Sequence, residues 1–166
     1  MILSAFVRFG FLLLFKISVD AACQSADRSG FKPPAKTARN QLLMPPSGVI
    51  WKHDRSNEFV TAERCHVLDT CNTAADQTLS IARARVEPKV TTAWHCVEST
   101  VERYIIAEGR GCVEIGDWPA ALVSPGDVVV IPAGVRQRIA NPGTTDLIFY
   151  CVCTSRFRVE NYRALE

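Results

Sequence analysis

Short segments in which apolar and polar residues alternate occupy the chain from residue 63 onward. Residues 79–86 show the clearest alternation, because Arg83 and Arg85 lie on one face of an extended chain and small apolar residues lie on the other. Further strands are predicted at residues 63–69, 92–97, 102–108, 112–115, 128–131, 137–140 and 147–153. Turns rich in Gly, Pro, Asn and Asp separate these segments. The pattern predicts an all-β antiparallel barrel or sandwich, with a short helix only at residues 157–165.

The first 48 residues lack this pattern. Residues 1–22 are apolar but interrupted by Arg8 and Lys16, so they fit a signal peptide and a dispensable extension equally well. Residues 24–48 are rich in Ser, Pro, Lys and Arg and are typical of a linker or disordered arm. We therefore divide the chain into a signal-like or disordered extension at 1–48 and one β domain at 51–166, with its motifs within 79–154.

Composition narrows the functional classes. A net charge of +2 gives no reason to expect nucleic acid as a partner, and the apolar N-terminal run is too short to predict a membrane span. Seven cysteines form an odd, irregularly spaced set, which argues against a disulfide framework. Reduced thiols predict a cytoplasmic location, with a periplasmic or secreted one as the alternative if residues 1–22 act as a signal.

Two groups of residues carry the candidate chemistry. The first contains His95, with Val97 two positions later, and Glu102. The second lies in a later strand-turn-strand region and contains Gln137, which could return an amide to the first group. Glycine, proline and asparagine occupy regular positions around both groups, namely Gly109, Gly126, Pro132, Gly134 and Asn141. Such a pattern is typical of a small metal-binding or ligand-binding cup.

These spacings resemble the two motifs of the cupin superfamily, G-x5-H-x-H-x3–4-E-x6-G and G-x5-P-x-G-x2-H-x3-N. The chain departs from them at Lys89, Val97 and Gln137. The region from Trp51 to Glu166 is also similar to a group of small bacterial cupins in which glutamine usually replaces the last histidine. The resemblance implies a double-stranded β-helix, the cupin jelly-roll barrel, and implies homodimers, for which exposed edge strands supply a physical reason.

The resemblance also implies a metal site at His95, Glu102 and Gln137. One imidazole, one carboxylate and one amide oxygen would suit a divalent ion such as Mn, Fe, Ni or Zn. The missing imidazoles should weaken the affinity, so a hydrogen-bonded acid–base pair of His95 and Glu102 is the alternative. Tyr104 shares the strand face of Glu102 and is a second candidate catalytic residue beside His95.

Arg83 and Arg85 are candidate ligand-binding residues, because arginine clamps a carboxylate or phosphate through two parallel hydrogen bonds. A solvated outer face is an equally good interpretation of their alternation. We therefore expect a barrel that binds a small organic ligand, as a metal-dependent oxygenase or isomerase. The alternatives are a module that binds a sugar or carboxylate without turnover, and an isomerase that works without metal.

Overall fold

The computed structural model describes residues 48–166. The predictions for residues 1–47, a signal-like segment followed by a linker, lie outside the described residues. The described part is almost entirely β-structure, as the alternating pattern predicts. Its strands are β1 (Phe59–Val60), β2 (His66–Cys71), β3 (Ser80–Val86), β4 (His95–Val97), β5 (Val101–Glu108), β6 (Gly111–Ile115), β7 (Ala121–Val123), β8 (Val128–Ile131), β9 (Gln137–Ala140), β10 (Leu147–Thr154) and β11 (Tyr162–Ala164).

The strands form two antiparallel sheets. The first has the order β1-β2-β3-β10-β5-β8, and the second has the order β11-β4-β9-β6-β7. The two longest strands, β5 and β10, pair at the centre of the first sheet. Several neighbouring strands are distant in the sequence. This arrangement brings the two motif regions together, because His95 on β4 pairs with Gln137 on β9.

All eight segments predicted as strands contain one, but the predicted terminal helix is wrong. Residues 157–165 instead contain a 3-10 turn at Val159–Asn161 and the strand β11, which pairs with β4. A long-range backbone pairing thus overrides the local preference of this segment. The sequence pattern did not predict the short strands β1 and β7, because each has too few residues to show a period.

Apolar side chains from both sheets meet in one core, whose best-buried members are Val86, Ile131, Ile139, Leu147 and Phe149. Each lies on the inward face of its strand, and the alternate positions face outward. The core fills one part of the space between the sheets. The remaining part is the cavity described below.

Residues of the two motifs hold the turns around this core. Asn141 is buried; its side-chain amide donates to the carbonyls of Val86 and Thr145 at 2.9 Å and 2.8 Å, and its oxygen accepts from Gly143. Gly109 has a φ of +77°, and a Cβ there would lie 2.6 Å from the Asp146 carbonyl oxygen. Only glycine fits this turn without strain. These positions act through backbone geometry.

Within residues 48–166 the structure has no helix long and apolar enough to cross a membrane. The predicted homodimer stays a prediction.

Candidate functional site

A cavity of about 410 Å³ lies between the two sheets and is lined by residues from both. This volume is within the range of pockets that hold small organic molecules. Most of its wall is apolar, with contributions from Ala82, Ala84, Val97, Ile139 and Phe149. A few polar side chains interrupt this wall, and they include both residues predicted to be catalytic, His95 and Tyr104. The chemistry of the site depends on these polar groups.

Strand alternation explains which predicted residues reach the cavity. His95 and Val97, two apart on β4, both line it, as do Glu102 and Tyr104 on β5. Gln137 on β9 does not line the cavity directly but contacts Glu102. The structure therefore brings His95, Glu102, Gln137 and Tyr104 to one region of the barrel.

Glu102 and Gln137 form a buried pair. The Gln137 Nε2 donates to Glu102 Oε2 at 2.6 Å, and the Cys153 thiol lies 3.8 Å from Glu102 Oε1, where it can donate a weak hydrogen bond. Burial raises the pKa of the Glu102 carboxyl, and the hydrogen bond from Gln137 offsets only part of this effect. Gln137 Oε1 is buried and has no hydrogen-bond partner within residues 48–166. Burial therefore favours the neutral form of the Glu102 carboxyl, and the hydrogen bond from Gln137 favours the ionised form.

His95 is held by two acceptors on the same ring nitrogen. Its Nδ1 lies 3.0 Å from the Ala93 carbonyl oxygen and 3.5 Å from Glu63 Oε2. Because both groups only accept hydrogen bonds when Glu63 is ionised, they favour the tautomer with its proton on Nδ1. The Tyr162 ring stacks on His95 with a centroid distance of 5.5 Å. His95 Nε2 makes no hydrogen bond within the described chain, so its lone pair is free for a ligand or a proton.

Glu63 also connects His95 to the C-terminal strand. The Tyr162 hydroxyl lies near the Glu63 carboxylate, to which it can donate, and burial together with this carboxylate raises the pKa of Tyr162 above its ordinary value. Glu63 itself lies in the turn before β2, and the side chains of Glu63 and Tyr162 both line the cavity. The sequence analysis missed both residues as parts of the site, because Glu63 was assigned to the predicted strand at 63–69 and Tyr162 to the segment predicted to be helical.

Tyr104 is 3 % exposed and packs its ring against Phe149, with the centroids 4.5 Å apart. Its hydroxyl makes no hydrogen bond within residues 48–166. Burial raises the pKa of this phenol well above its ordinary value, so the hydroxyl keeps its proton. Tyr104 therefore presents an O–H group to the cavity that no described side chain uses.

Arg83 and Arg85 are not among the residues that line the cavity. The carboxylate that they clamp is that of Glu58, to which Arg83 Nη1 donates at 3.1 Å and Arg85 Nη2 at 2.9 Å. The cavity-facing side of β3 carries Ala82 and Ala84 instead. Both arginines therefore lie on the face of β3 that points away from the cavity, where they pair with Glu58. Their role in ligand binding stays a prediction that this arrangement does not support.

Three residues of β4, β5 and β9 or next to them do not line the cavity, namely Trp94, Arg103 and Arg138. Trp94 lies between the guanidinium groups of Arg136 and Arg138, with centroid distances of 4.8 Å and 4.6 Å. Arg138 also pairs with Glu114. Arg103 donates to the Thr154 hydroxyl.

Three thiols line the cavity, those of Cys65, Cys151 and Cys153. Burial raises the pKa of Cys65 and Cys153 to about 12 and that of Cys151 well above its ordinary value. Thiols with such pKa values stay protonated and react slowly. They therefore act as small apolar wall residues.

The donor groups fit a metal ion poorly. Among residues 48–166, no three His, Cys, Asp or Glu side chains come together in a way that could hold a metal. Gln137 turns its N–H group, which is not a metal ligand, towards Glu102. Val97 supplies no donor at all. His95 Nε2 and Glu102 remain as two suitable donors, fewer than divalent ions usually take from a protein.

Comparison with known proteins places the barrel in a family. Residues 82–153 match the cupin domain family. No curated protein sequence matches the chain. The matched region contains β3 to β10 almost completely, and with them both motifs and half of the residues that line the cavity.

Solved structures share the fold. A cupin 2 conserved barrel domain protein from Salinispora arenicola is 22% identical with a TM-score of 0.56, covering 64% of this chain and 87% of its own. A Klebsiella pneumoniae protein with a double-stranded β-helix domain is 14% identical with a TM-score of 0.56, covering 67% and 92%. A predicted oxalate decarboxylase from Thermotoga maritima is 25% identical with a TM-score of 0.51, covering 55% and 80%. The predicted double-stranded β-helix is thus confirmed.

Proposed function

Because this chain is a cupin-domain protein, we propose that its barrel binds one small, largely apolar organic molecule between the sheets, without a resident metal ion. The observation that carries this proposal is the cavity of about 410 Å³, which combines an apolar wall with two unpartnered polar atoms. Those atoms are His95 Nε2 and the Tyr104 hydroxyl oxygen. Polar groups inside an apolar cavity gain hydrogen bonds when a ligand supplies their partners.

The poor donor set supports binding without metal. A metal-dependent oxygenase or isomerase would need three ligands, supplied by His95, by Glu102 and by the amide oxygen of Gln137. Its N–H group instead holds Glu102 in a buried hydrogen bond of 2.6 Å. This bond links two of the three candidate ligands to each other, so metal binding would first have to break it.

A second candidate function is acid–base catalysis on the bound molecule without metal. The observation that favours it is the arrangement of His95, whose Nδ1 is held by the Ala93 carbonyl and near Glu63. This leaves Nε2 as a base, as in sites where a carboxylate orients a histidine. Protonated Glu102 or Tyr104 would supply the acid. A reaction that proceeds in the presence of chelator and is lost in His95→Gln would support this function over simple binding.

The proposal can be tested with the uncharged fluorescent probe N-phenyl-1-naphthylamine, whose emission rises in apolar surroundings. Chelator-treated protein should enhance the emission and saturate at one site. The variant Ala82→Leu should weaken this binding at least about tenfold, because a leucine side chain would fill part of the cavity that Ala82 lines. Ala121→Leu is the matched control, since Ala121 is exposed on β7 and does not line the cavity.

Two results would contradict the proposal. The first is the absence of saturable binding by chelator-treated protein. The second is equal binding by wild type and Ala82→Leu, which would place the probe on the surface. Circular dichroism and thermal unfolding of both variants show whether each retains the barrel.

A further inference from the structure

The ionisable groups that line the cavity are mostly acidic. Glu63, Asp69 and Glu102 contribute carboxyl groups, and His95 is the only nitrogen base. No lysine or arginine occurs among the described residues that line the cavity. Arg83 and Arg85 lie close in sequence to this wall but are paired with Glu58 outside it. A carboxylate or phosphate ligand would therefore find no lysine or arginine side chain in this cavity.

The unused hydrogen-bonding capacity of the cavity consists mainly of acceptors. His95 is nine-tenths buried, and its Nε2 carries a free lone pair because Nδ1 holds the proton. The Glu63 carboxylate contacts Tyr162 and His95, which leaves further lone pairs for a ligand. Asp69 has no hydrogen-bond partner within residues 48–166. The hydroxyl of Tyr104 is an unpartnered donor among these residues, and the Ser80 and Thr92 hydroxyls accept hydrogen bonds from backbone N–H groups. A ligand that satisfies the acceptors must itself bring hydrogen-bond donors, and an ammonium group brings several N–H donors together with a positive charge.

Aromatic rings form much of the remaining wall. They are contributed by Phe59, Tyr104, Phe149, Phe157 and Tyr162. The faces of such rings attract organic cations, most strongly where water is excluded. Tyr162 lies at the junction of the two features, because its hydroxyl contacts Glu63 and its ring stacks on His95. The rings and the carboxylates therefore favour the same kind of ligand.

We infer that the ligand is an organic cation, a protonated amine on an apolar body, with Glu63 as its counter-ion and His95 Nε2 as an acceptor of its N–H group. This inference rests on the proposed function, since it names the class of molecule that the barrel takes. It excludes the carboxylate alternative considered from the sequence. The apolar body occupies the space beside Ala82 and Ala84, and the ammonium group lies near Glu63.

The test uses three molecules with the same apolar body and different charges: 2-phenylethylammonium, 2-phenylethanol and phenylacetate. Each is titrated against chelator-treated protein saturated with N-phenyl-1-naphthylamine, and the fall in emission gives its affinity. We expect the ammonium to bind about tenfold more tightly than the alcohol, and the carboxylate to bind most weakly. Equal affinities, or an order led by phenylacetate, would overturn the inference. Failure of the fluorescent probe itself to bind would instead contradict the proposed function.

Two matched variants locate the counter-ion. Glu63→Gln keeps an oxygen that can accept from Tyr162, and it should remove most of the preference for the ammonium over the alcohol. The affinity for 2-phenylethanol should change less than about twofold, because the cavity wall is intact. Glu108→Gln is the control, since Glu108 is exposed at the end of β5 and does not line the cavity. If Glu63→Gln retains the full preference, Glu63 is not the counter-ion and the inference is wrong.

Discussion

Removal of one hydroxyl group from each of two cavity tyrosines should have opposite effects on stability. Tyr104→Phe removes a hydroxyl group of a cavity-lining side chain, and this hydroxyl has no hydrogen-bond partner within the described chain. Tyr162→Phe removes a hydroxyl group that can donate a hydrogen bond to Glu63. Both variants keep the ring, so the packing of Tyr104 on Phe149 and of Tyr162 on His95 is retained.

The magnitudes follow from the surroundings of each oxygen. An unpaired hydroxyl inside a protein costs about 1–3 kcal/mol, and water in the cavity should offset much of this. Tyr104→Phe should therefore leave the free energy of unfolding unchanged or raise it by up to about 1 kcal/mol. Tyr162→Phe should lower it by about 0.5–1.5 kcal/mol, the net value of one hydrogen bond. The two variants should thus differ by about 0.5–2.5 kcal/mol, with Tyr104→Phe the more stable.

Urea unfolding followed by tryptophan fluorescence measures both free energies under the same conditions. In the probe titration, Tyr104→Phe should bind 2-phenylethanol about twofold to tenfold more weakly, because the ligand loses one hydrogen bond. A clear destabilisation by Tyr104→Phe, equal to or greater than that by Tyr162→Phe, would refute this reasoning. It would mean that the Tyr104 hydroxyl already has a partner in the protein.

Three more outcomes follow from the site. In the native state the pKa of Glu102 is raised above 4.5, its ordinary value in the unfolded chain. The native state therefore keeps a proton that the unfolded chain loses near pH 4.5, and the stability that Glu102 contributes is fully present below that pH. Its contribution falls as the pH rises towards the raised value, so Glu102→Gln should gain stability relative to wild type with rising pH in urea unfolding. The double variant Val97→His, Gln137→His should bind Zn²⁺ at least about tenfold more tightly than wild type in calorimetry, since it supplies two more imidazoles. Arg85→Lys should lower the free energy of unfolding by about 1–3 kcal/mol, because it breaks the two-nitrogen contact with Glu58, and should leave probe binding unchanged.

Sequence alternation predicted the faces of the long strands well. His95 and Val97, and likewise Glu102 and Tyr104, face the same cavity because residues two apart share a face. Alternation does not say which face is inward, so the arginines of β3 could not be assigned from their pattern. Their face becomes known only from their pairing with Glu58, which lies 25 positions from Arg83 in the chain.

Other parts of the site depend on contacts that no local pattern reveals. Tyr162 reaches His95 only because β11 pairs with β4, which local preference did not predict. Glu63 lies in a turn, where side-chain direction follows from the backbone of that turn and not from a period. The departures of Val97 and Gln137 from the family motif were visible in the sequence. Their consequence, an amide that donates to Glu102 in place of binding a metal, required the geometry.

The central claim is that the barrel binds an organic molecule without metal, and calorimetry on metal-stripped protein tests it most directly. Protein treated with chelator is titrated with 2-phenylethylammonium, and the titration is repeated after the addition of Mn²⁺, Fe²⁺, Ni²⁺ or Zn²⁺. The claim predicts binding at one site per chain with affinities that agree within about twofold with and without added metal. Binding that disappears in chelator and returns only with a divalent ion would contradict it.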